Sequence, residues 1–287
     1  MPPNPAPHHR PPETTTTAAV PPFTVIPPDG PAAPVIVHLS HSATYLPDDV
    51  RADILLTDAD LAAELLVMTD HRTDRLAADA GNLGATRFRN NWSRLAVDPE
   101  RFADPQREEM EAVGMGAVYT ATNDRRQLRT LTDTARTDLL DRHFRPYHAA
   151  FTAQVDRMLT EHGTCIIIDL HSYPSEALPY ELHTDGPRPP LDIGTDARHT
   201  PDWLRTLVTD TARDHDLDVA VNTPFSGTFV PLEHLGNPQV HAVMLEIRRD
   251  GYLDERTARP HGGEQRLRRF CAAVVAATVQ HCASRRP

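Results

Sequence analysis

The sequence CIIIDLHSYP, residues 165–174, decides the predicted fold. Its first half is apolar and rich in isoleucine, which is typical of a strand buried on both faces of a parallel sheet. Its second half is polar and ends at Pro174. Because binding sites in open α/β sheets form beyond the carboxyl ends of the strands, we expect His171 to face a crevice.

The sequence PVIVHLS, residues 34–40, repeats this arrangement. It predicts a second buried strand, and a His-Ser pair follows it at residues 41–42, as at residues 171–172. Two histidines at adjacent strand ends can share one metal ion, since neutral imidazole is a good metal ligand. The alternative for His171 alone is a helix-capping or core histidine at a strand end. His38 lies inside the strand and is interpreted as structural.

A later strand carries an isolated carboxylate. Residues 240–247, VHAVMLEI, are apolar apart from His241 and Glu246. Burying a carboxylate in such a strand costs free energy unless the group is paired or has a function. Glu246 is therefore a candidate catalytic residue, and an ion pair with Arg248 or Arg249 is the structural alternative.

The predicted strands alternate with predicted helices, a pattern typical of α/β folds with a largely parallel sheet. We expect one domain over residues 34–287, with a mixed, mostly parallel central sheet and helices on both faces. Residues 1–33 are rich in proline and threonine and predict a disordered tail. The predicted helices cover residues 58–80, 124–161 with a break near Pro146, 200–215 and 262–282.

Composition excludes several classes of function. The 287 residues carry a net charge of −11 without a long basic run, so nucleic acid is not an expected partner. All 29 basic residues are arginine, which excludes Schiff-base chemistry and a Walker A loop. Three cysteines without a CxxC motif argue against a disulfide framework. Without an apolar run of about 20 residues or a signal peptide, the sequence predicts a cytoplasmic protein with no membrane partner.

Two further groups of charged residues are candidates for a site. Asp70 and Asp74 are four residues apart on a predicted helix, so they are expected to share one face and to supply an acidic group. Arg94 and Arg101 flank a short apolar stretch at residues 95–97, and a guanidinium suits a bidentate carboxylate. The alternative for these arginines is ion pairing with the nearby carboxylates at residues 98 and 100.

Taken in order, these segments resemble the N-formylglutamate amidohydrolase family, a branch of the zinc-carboxypeptidase-like hydrolases. The resemblance covers about residues 35–280. The motifs that carry it are HS at 41–42, TD at 69–70, DRL at 74–76, SRL at 93–95, DLHSY at 169–173, PFSG at 224–227 and EIR at 246–248.

This resemblance implies a carboxypeptidase-like fold and one Zn²⁺ or other divalent ion. The implied ligands are His41, Asp74 and His171, with Asp70 as the second choice for the acid. The acid is the least direct of these assignments. In the zinc carboxypeptidases it lies three residues after the first histidine, and that position is Thr44 here.

The resemblance further implies that Glu246 is the general base and that Arg101 binds a substrate carboxylate, with Arg94, Arg248 and Asn222 as further substrate contacts. The implied reaction is removal of a formyl or other small acyl group from an N-acyl amino acid such as N-formylglutamate. Two alternatives remain open. One is hydrolysis of N-formimino or larger N-acyl substrates at the same site, and the other is an inactive protein that only binds carboxylates.

Overall fold

The computed structural model describes residues 20–182 and 184–285. The strands of the central sheet are β1 (Phe23–Ile26), β2 (Val35–Leu39), β3 (Thr86–Asn90), β4 (Cys165–Tyr173), β5 (Leu191–Gly194), β6 (Val219–Val221) and β7 (Val240–Arg248). The helices are α1 (Asp48–Asp53), α2 (Asp58–Met68), α3 (Thr73–Leu76), α4 (Asp133–Leu139), α5 (Arg145–His162), α6 (Asp202–Asp214) and α7 (Gly263–Ala283).

The seven strands lie in the order β1-β3-β2-β4-β7-β5-β6. The pairs β3-β2, β2-β4, β4-β7 and β5-β6 are parallel. The pairs β1-β3 and β5-β7 are antiparallel. The expected mixed, mostly parallel sheet is confirmed, and the carboxyl ends of β2, β4 and β7 therefore meet at one edge.

Both faces of this sheet are covered, as predicted. Side chains alternate between the two faces of a strand. Ile166 and Ile168 of β4 belong to the core that α3, α6 and α7 cover. Ile167 belongs to the opposite core, with Tyr147 and Phe151 of α5. This alternation continues through the polar end of β4, so Asp169 and His171 lie on the same face as Ile167, the face that α5 covers.

The predicted boundary between tail and domain at residue 33 is wrong for residues 20–33. β1 lies within this range and pairs along β3. Phe23 stacks on Phe88 with ring centroids 5.4 Å apart, and the Trp92 indole donates a hydrogen bond to the Val20 carbonyl. An open sheet edge supplies backbone partners that proline-rich composition does not reveal. The rest of the predicted tail, residues 1–19, lies outside the described residues.

The predicted helix over residues 58–80 is also interrupted. Helix α2 ends at Met68, and Arg72 has a left-handed backbone with φ of 68° before α3 begins. The backbone N–H of Asp70 donates to the carbonyl of His41 instead of continuing the helix. Tertiary contacts of this kind override helix propensity. Asp70 and Asp74 therefore do not share one helix face.

The other predicted helices are close to those observed. The break expected near Pro146 is a π turn at Leu140–Phe144, between α4 and α5. Proline lacks a backbone N–H, so it fits best at the start of the second helix. Among the described residues, no helix combines the length and the apolar character needed to cross a membrane.

Candidate active site

Two histidines meet where the neighbouring strands β2 and β4 end. His171 lies near the end of β4, and His41 follows the last residue of β2 by two positions. Their ring centroids are 5.1 Å apart, and each residue is 3% exposed. The structure thus brings together the two histidines that the sequence placed at adjacent strand ends.

Asp70 lies between the Nδ1 atoms of the two rings. Its Oδ2 atom is 3.7 Å from Nδ1 of His41 and 3.1 Å from Nδ1 of His171. Its other oxygen, Oδ1, accepts a hydrogen bond of 3.0 Å from the guanidinium of Arg249. Arg249 also donates to the carbonyl of Ser172, beside His171. One arginine therefore fixes the turn that carries Asp70 against the end of β4.

Other carboxylates lie behind the rings, on the Nε2 side. His41 Nε2 forms a hydrogen bond of 2.9 Å with Asp98. His171 Nε2 lies 3.0 Å from Asp169 and 3.1 Å from Glu100, although neither contact has the angle of a regular hydrogen bond. A carboxylate behind a metal-binding histidine orients the ring and fixes its tautomer.

The charges of this cluster favour a cation. Burial alone would lower the pKa of His171, but Glu100, Asp169 and Asp70 raise it well above its usual value. Burial and Arg94 likewise act to lower the pKa of His41, and neighbouring carboxylates raise it overall. A site that stabilises protonated histidines stabilises positive charge, which a bound divalent ion also supplies.

Several buried polar atoms here have no hydrogen-bond partner among the described residues. They are His41 Nδ1, His171 Nε2, Glu100 Oε1, Arg101 Nε and Glu246 Oε2. His41, Glu100 and His171 each offer one ligand atom, and these atoms all lie within 4.8 Å of one another. Buried polar groups are normally satisfied, so the convergence of unsatisfied atoms points to a bound ion or substrate.

Glu246 lies beside this cluster. It pairs directly with His171 across β4 and β7, and with Asp192 across β5 and β7. Burial, followed by the negative charges of Asp70 and Asp192, raises its pKa to about 8, against the opposing effects of His171 and Arg249. A carboxyl group with such a pKa can exchange a proton near neutral pH.

The structural alternative for Glu246 was an ion pair with one of the following arginines. Arg248 instead pairs with Asp250 at 2.8 Å, and Arg249 pairs with Asp70 at 3.0 Å. The salt bridges described for both guanidinium groups are therefore with carboxylates other than Glu246.

Arg94 and Arg101 both lie near the cluster but differ in how firmly they are held. Arg94 is buried, and its guanidinium donates to Asp98 and to the hydroxyl of Tyr119. Arg101 lies 3.7 Å from Asp98 and 3.9 Å from Glu108, and its side chain is 27% exposed. Ion pairing with Asp98, the alternative considered for both arginines, thus describes Arg94 better than Arg101.

Three other predicted site residues do not join the cluster. The side chain of Asp74 is 32% exposed, and its described ion pair is with Arg75 at 3.9 Å. Asn222 is exposed, has φ of 56°, and exchanges hydrogen bonds with Thr195. Arg248 pairs with Asp250 near the surface. Asp74, like Asp70, belongs to neither group of metal-ligating side chains among the described residues, but only Asp70 contacts the histidines.

Four residues that shape the site were not predicted from the sequence as site residues: Asp98, Glu100, Asp169 and Arg249. Asp169 stands two positions before His171, so strand alternation alone could have placed both side chains on one face. The ion pair of Arg249 with Asp70 spans 179 positions, and no local pattern predicts such a contact.

Comparison with known proteins shows which family this chain resembles. The model of the N-formylglutamate amidohydrolase family matches residues 33–253. Two curated relatives are N-formylglutamate deformylases from Pseudomonas putida and Pseudomonas aeruginosa PAO1, 27% and 28% identical over 231 residues. Each alignment covers 77% of this chain and 82% or 83% of the relative.

A solved structure extends the similarity to the fold. The crystal structure of N-formylglutamate amidohydrolase from Ralstonia eutropha JMP134 superposes with a TM-score of 0.81 at 25% identity. The superposition covers 92% of this chain and 99% of that chain. The family match spans every residue of the cluster, from His41 to Arg249.

Proposed function

This chain belongs to the N-formylglutamate amidohydrolase family, and from that premise we propose that it hydrolyses N-formylglutamate to formate and glutamate with one bound divalent ion, Zn²⁺ being the first candidate. The observation that carries the proposal is the position of Asp70 between the Nδ1 atoms of His41 and His171, with Glu246 beside them. The names of the relatives supply the substrate.

His41, Asp70 and His171 would hold the ion. Ligand atoms about 2.0–2.1 Å from a tetrahedral ion are about 3.3 Å apart. The separations of 3.7 Å and 3.1 Å between Asp70 and the two Nδ1 atoms are close to this value. The three residues are not among the groups whose ligand atoms all lie within 4.8 Å of one another, so the two rings would move closer together when the ion binds. The Nδ1 atom of His41 has no hydrogen-bond partner among the described residues, which leaves its lone pair available.

Glu100 is the competing third ligand, because it belongs to the compact group with the two histidines. It lies on the Nε2 side of both rings, 3.9 Å from His41 and 3.1 Å from His171. Nε2 of His41 already bonds Asp98, so an ion on that side would have to displace this contact. The negative charge of Asp70 also raises the pKa of Glu246, so Asp70 and the proposed base are close enough to act on one ion. We therefore assign the ion to the Nδ1 side.

A divalent ion at this place supplies polarisation of the formyl oxygen and activation of water. Glu246 would accept the proton of the attacking water and deliver it to the leaving nitrogen. Its raised pKa suits a group that must both take and release a proton. A bound cation nearby would lower this pKa and favour the ionised form needed at the start.

Arg101 would bind a carboxylate of the substrate. Its Nε atom is buried and has no hydrogen-bond partner in the described part of the chain, and its contacts to carboxylates are long. A loosely paired guanidinium can exchange its partner for a ligand carboxylate at low cost. Arg94, held by Asp98 and Tyr119, would supply fixed positive charge near the same place.

A substrate screen tests this function against its rivals. Purified protein is incubated with N-formyl-, N-formimino- and N-acetylglutamate, and amide hydrolysis is followed by NMR. The proposal predicts formate release from N-formylglutamate at the highest kcat/KM. Preference for another acyl group would revise the substrate, and tight binding without turnover would indicate a carboxylate-binding protein.

A further inference from the structure

A chain of buried polar groups runs from His171 to helix α5, and the reaction proposed above does not use it. Asp169 Oδ1 lies 3.0 Å from His171 Nε2 and 2.8 Å from His38 Nδ1. The other nitrogen of His38, Nε2, is 2.5 Å from the hydroxyl of Tyr147. All four residues are at most 3% exposed.

We propose that His38 and Tyr147 are positioning residues that hold Asp169, and through it His171, in the arrangement that leaves Nδ1 of His171 free to bind a metal ion. This inference rests on the proposed function, because it assumes that His171 is a metal ligand. It assigns a role to His38, which the sequence predicted to be only structural.

The backbone of the sheet builds this chain. His38 and Asp169 are directly paired residues of the parallel strands β2 and β4. Asp169 and His171 are two positions apart on β4, so they share the face that α5 covers. The second carboxylate oxygen of Asp169 accepts a hydrogen bond of 3.0 Å from the backbone of Phe229. Both oxygens of Asp169 are therefore held in place.

The hydrogen bonds allow a consistent assignment of protons along the chain. Tyr147 donates its O–H to Nε2 of His38, so His38 carries its proton on Nδ1 and donates it to Asp169. Asp169, as a carboxylate, then faces the Nε2 proton of His171 across 3.0 Å, at an angle that is not yet that of a regular hydrogen bond. Nδ1 of His171 donates a hydrogen bond to the carboxylate of Asp70. An ion bound on this side would take the place of that proton, and His171 would then be neutral with its lone pair on Nδ1. Each neutral imidazole has one donor and one acceptor nitrogen, so fixing one end fixes the other.

The surroundings of His38 make a purely structural role costly. Its ring lies among aromatic side chains, with centroids 4.8 Å from Phe151 and 4.6 Å from Phe229. An apolar residue would fill this place without the desolvation of a buried polar network. The network is satisfied at every member except His171, whose Nε2 atom faces Asp169 and Glu100 without a regular hydrogen bond. This is consistent with an arrangement that reaches its final geometry when the ion is bound.

A second ion is the competing interpretation, because ligand atoms of His38, Glu100 and Asp169 also lie within 4.8 Å of one another. An ion between these groups would have to break the contact between His38 and Asp169, which is 2.8 Å long. The metal stoichiometry of the wild-type protein separates the two interpretations.

Two substitutions of His38 form a matched pair. Asn places its amide nitrogen near the position of imidazole Nδ1, so His38→Asn keeps a donor for Asp169. Gln places its amide near Nε2, so His38→Gln loses that donor while remaining polar. We expect His38→Gln to weaken metal binding by about 10- to 100-fold, the usual effect of losing a partner behind a ligand, and His38→Asn to restore most of the affinity. Competition of Zn²⁺ with a chromogenic chelator measures this directly, and Co²⁺ absorption spectra report the ligand geometry.

The results separate this inference from the function on which it rests. Wild-type metal affinity in His38→Gln, equal losses in both His38 variants, or two bound ions in the wild type would overturn it. If His38→Gln does not fold by circular dichroism, Tyr147→Phe replaces it, and this variant is expected to weaken metal binding in the same direction. Unchanged affinity in Tyr147→Phe would then overturn the inference. A wild-type protein that binds no metal would overturn the proposed function as well.

Discussion

His171 and Glu246 lie directly opposite each other in the parallel pairing of β4 with β7. Adjacent strands are about 4.8 Å apart, so the proposed ligand and the proposed base start from neighbouring positions on a rigid scaffold. Arg249, three residues beyond Glu246, holds Asp70. The end of β7 therefore positions both the proposed base and the proposed acidic ligand.

The first prediction concerns Glu246. Glu246→Gln keeps the size of the side chain but removes the proton-accepting charge, so kcat should fall by roughly 10²–10⁴ while the metal content stays at the wild-type level. Steady-state kinetics and metal analysis are measured on the same preparation. Glu233→Gln, a change of an exposed glutamate, is the control. Near-normal turnover of Glu246→Gln would show that another residue is the base.

The second prediction ranks the acidic residues. Asp70→Asn should weaken Zn²⁺ binding most, because Asp70 faces the Nδ1 atoms of both histidines. Glu100→Gln should have a smaller effect, through the orientation of His171. Asp74→Asn should have none, because its side chain is half-exposed and pairs with Arg75. Chelator competition gives the three affinities. A larger loss in Glu100→Gln than in Asp70→Asn would move the ion to the Nε2 side.

The third prediction concerns Arg101. Its substrate contact exists before and during the reaction, so Arg101→Ala should raise KM more than it lowers kcat. A hydrogen bond to a charged group is worth about 1.5–3 kcal/mol, which corresponds to about a 10- to 100-fold increase in KM for N-formylglutamate. Arg107→Ala, a change of an exposed arginine in the same loop, is the control. Equal effects on N-formylglutamate, its side-chain amide and its α-amide would mean that Arg101 binds neither carboxylate.

The fourth prediction concerns stability in acid. Burial lowers the pKa of His143 from 6.5 to about 4. The unfolded chain therefore takes up the proton before the folded protein does, and stability is lost as the pH falls from about 6.5 to about 4. At about 1.4 kcal/mol per pH unit, the loss amounts to about 3 kcal/mol.

Urea unfolding at pH 7 and pH 4.5 measures this loss, with His143→Gln as the comparison. Gln can keep the contact of 3.0 Å that His143 Nε2 makes with Asn90 but does not titrate. The free energy of unfolding should therefore depend less on pH in the variant than in the wild type. The same pH dependence in both proteins would assign the acid sensitivity to other groups.

Much of the fold followed from periodicity in the sequence. The apolar runs that became β2, β4 and β7 have the length and composition of buried strands, and parallel strands place their carboxyl ends at one edge. That is why His41 and His171 could be grouped before their positions were known, whereas Glu246 was joined to them through the family resemblance. β1 was not predicted, because its residues pair with a sheet edge whose presence no local pattern reveals.

The position of the proposed acidic ligand, Asp70, could not be predicted by such reasoning. Helical spacing favoured a shared face for Asp70 and Asp74, but the helix ends at Met68 and the chain turns at Arg72. The turn is held by the backbone contact of Asp70 with His41 and by its ion pair with Arg249. These contacts join distant segments, so they become visible only when the chain is folded.

Metal removal tests the central claim most directly. The protein is stripped with a chelator, checked for folding by circular dichroism, and assayed for formate release from N-formylglutamate before and after stepwise addition of Zn²⁺. We predict that activity is lost on stripping and returns in proportion to added metal, with a plateau at one ion per chain. Full activity in the metal-free protein, or a plateau at two ions, would contradict the account.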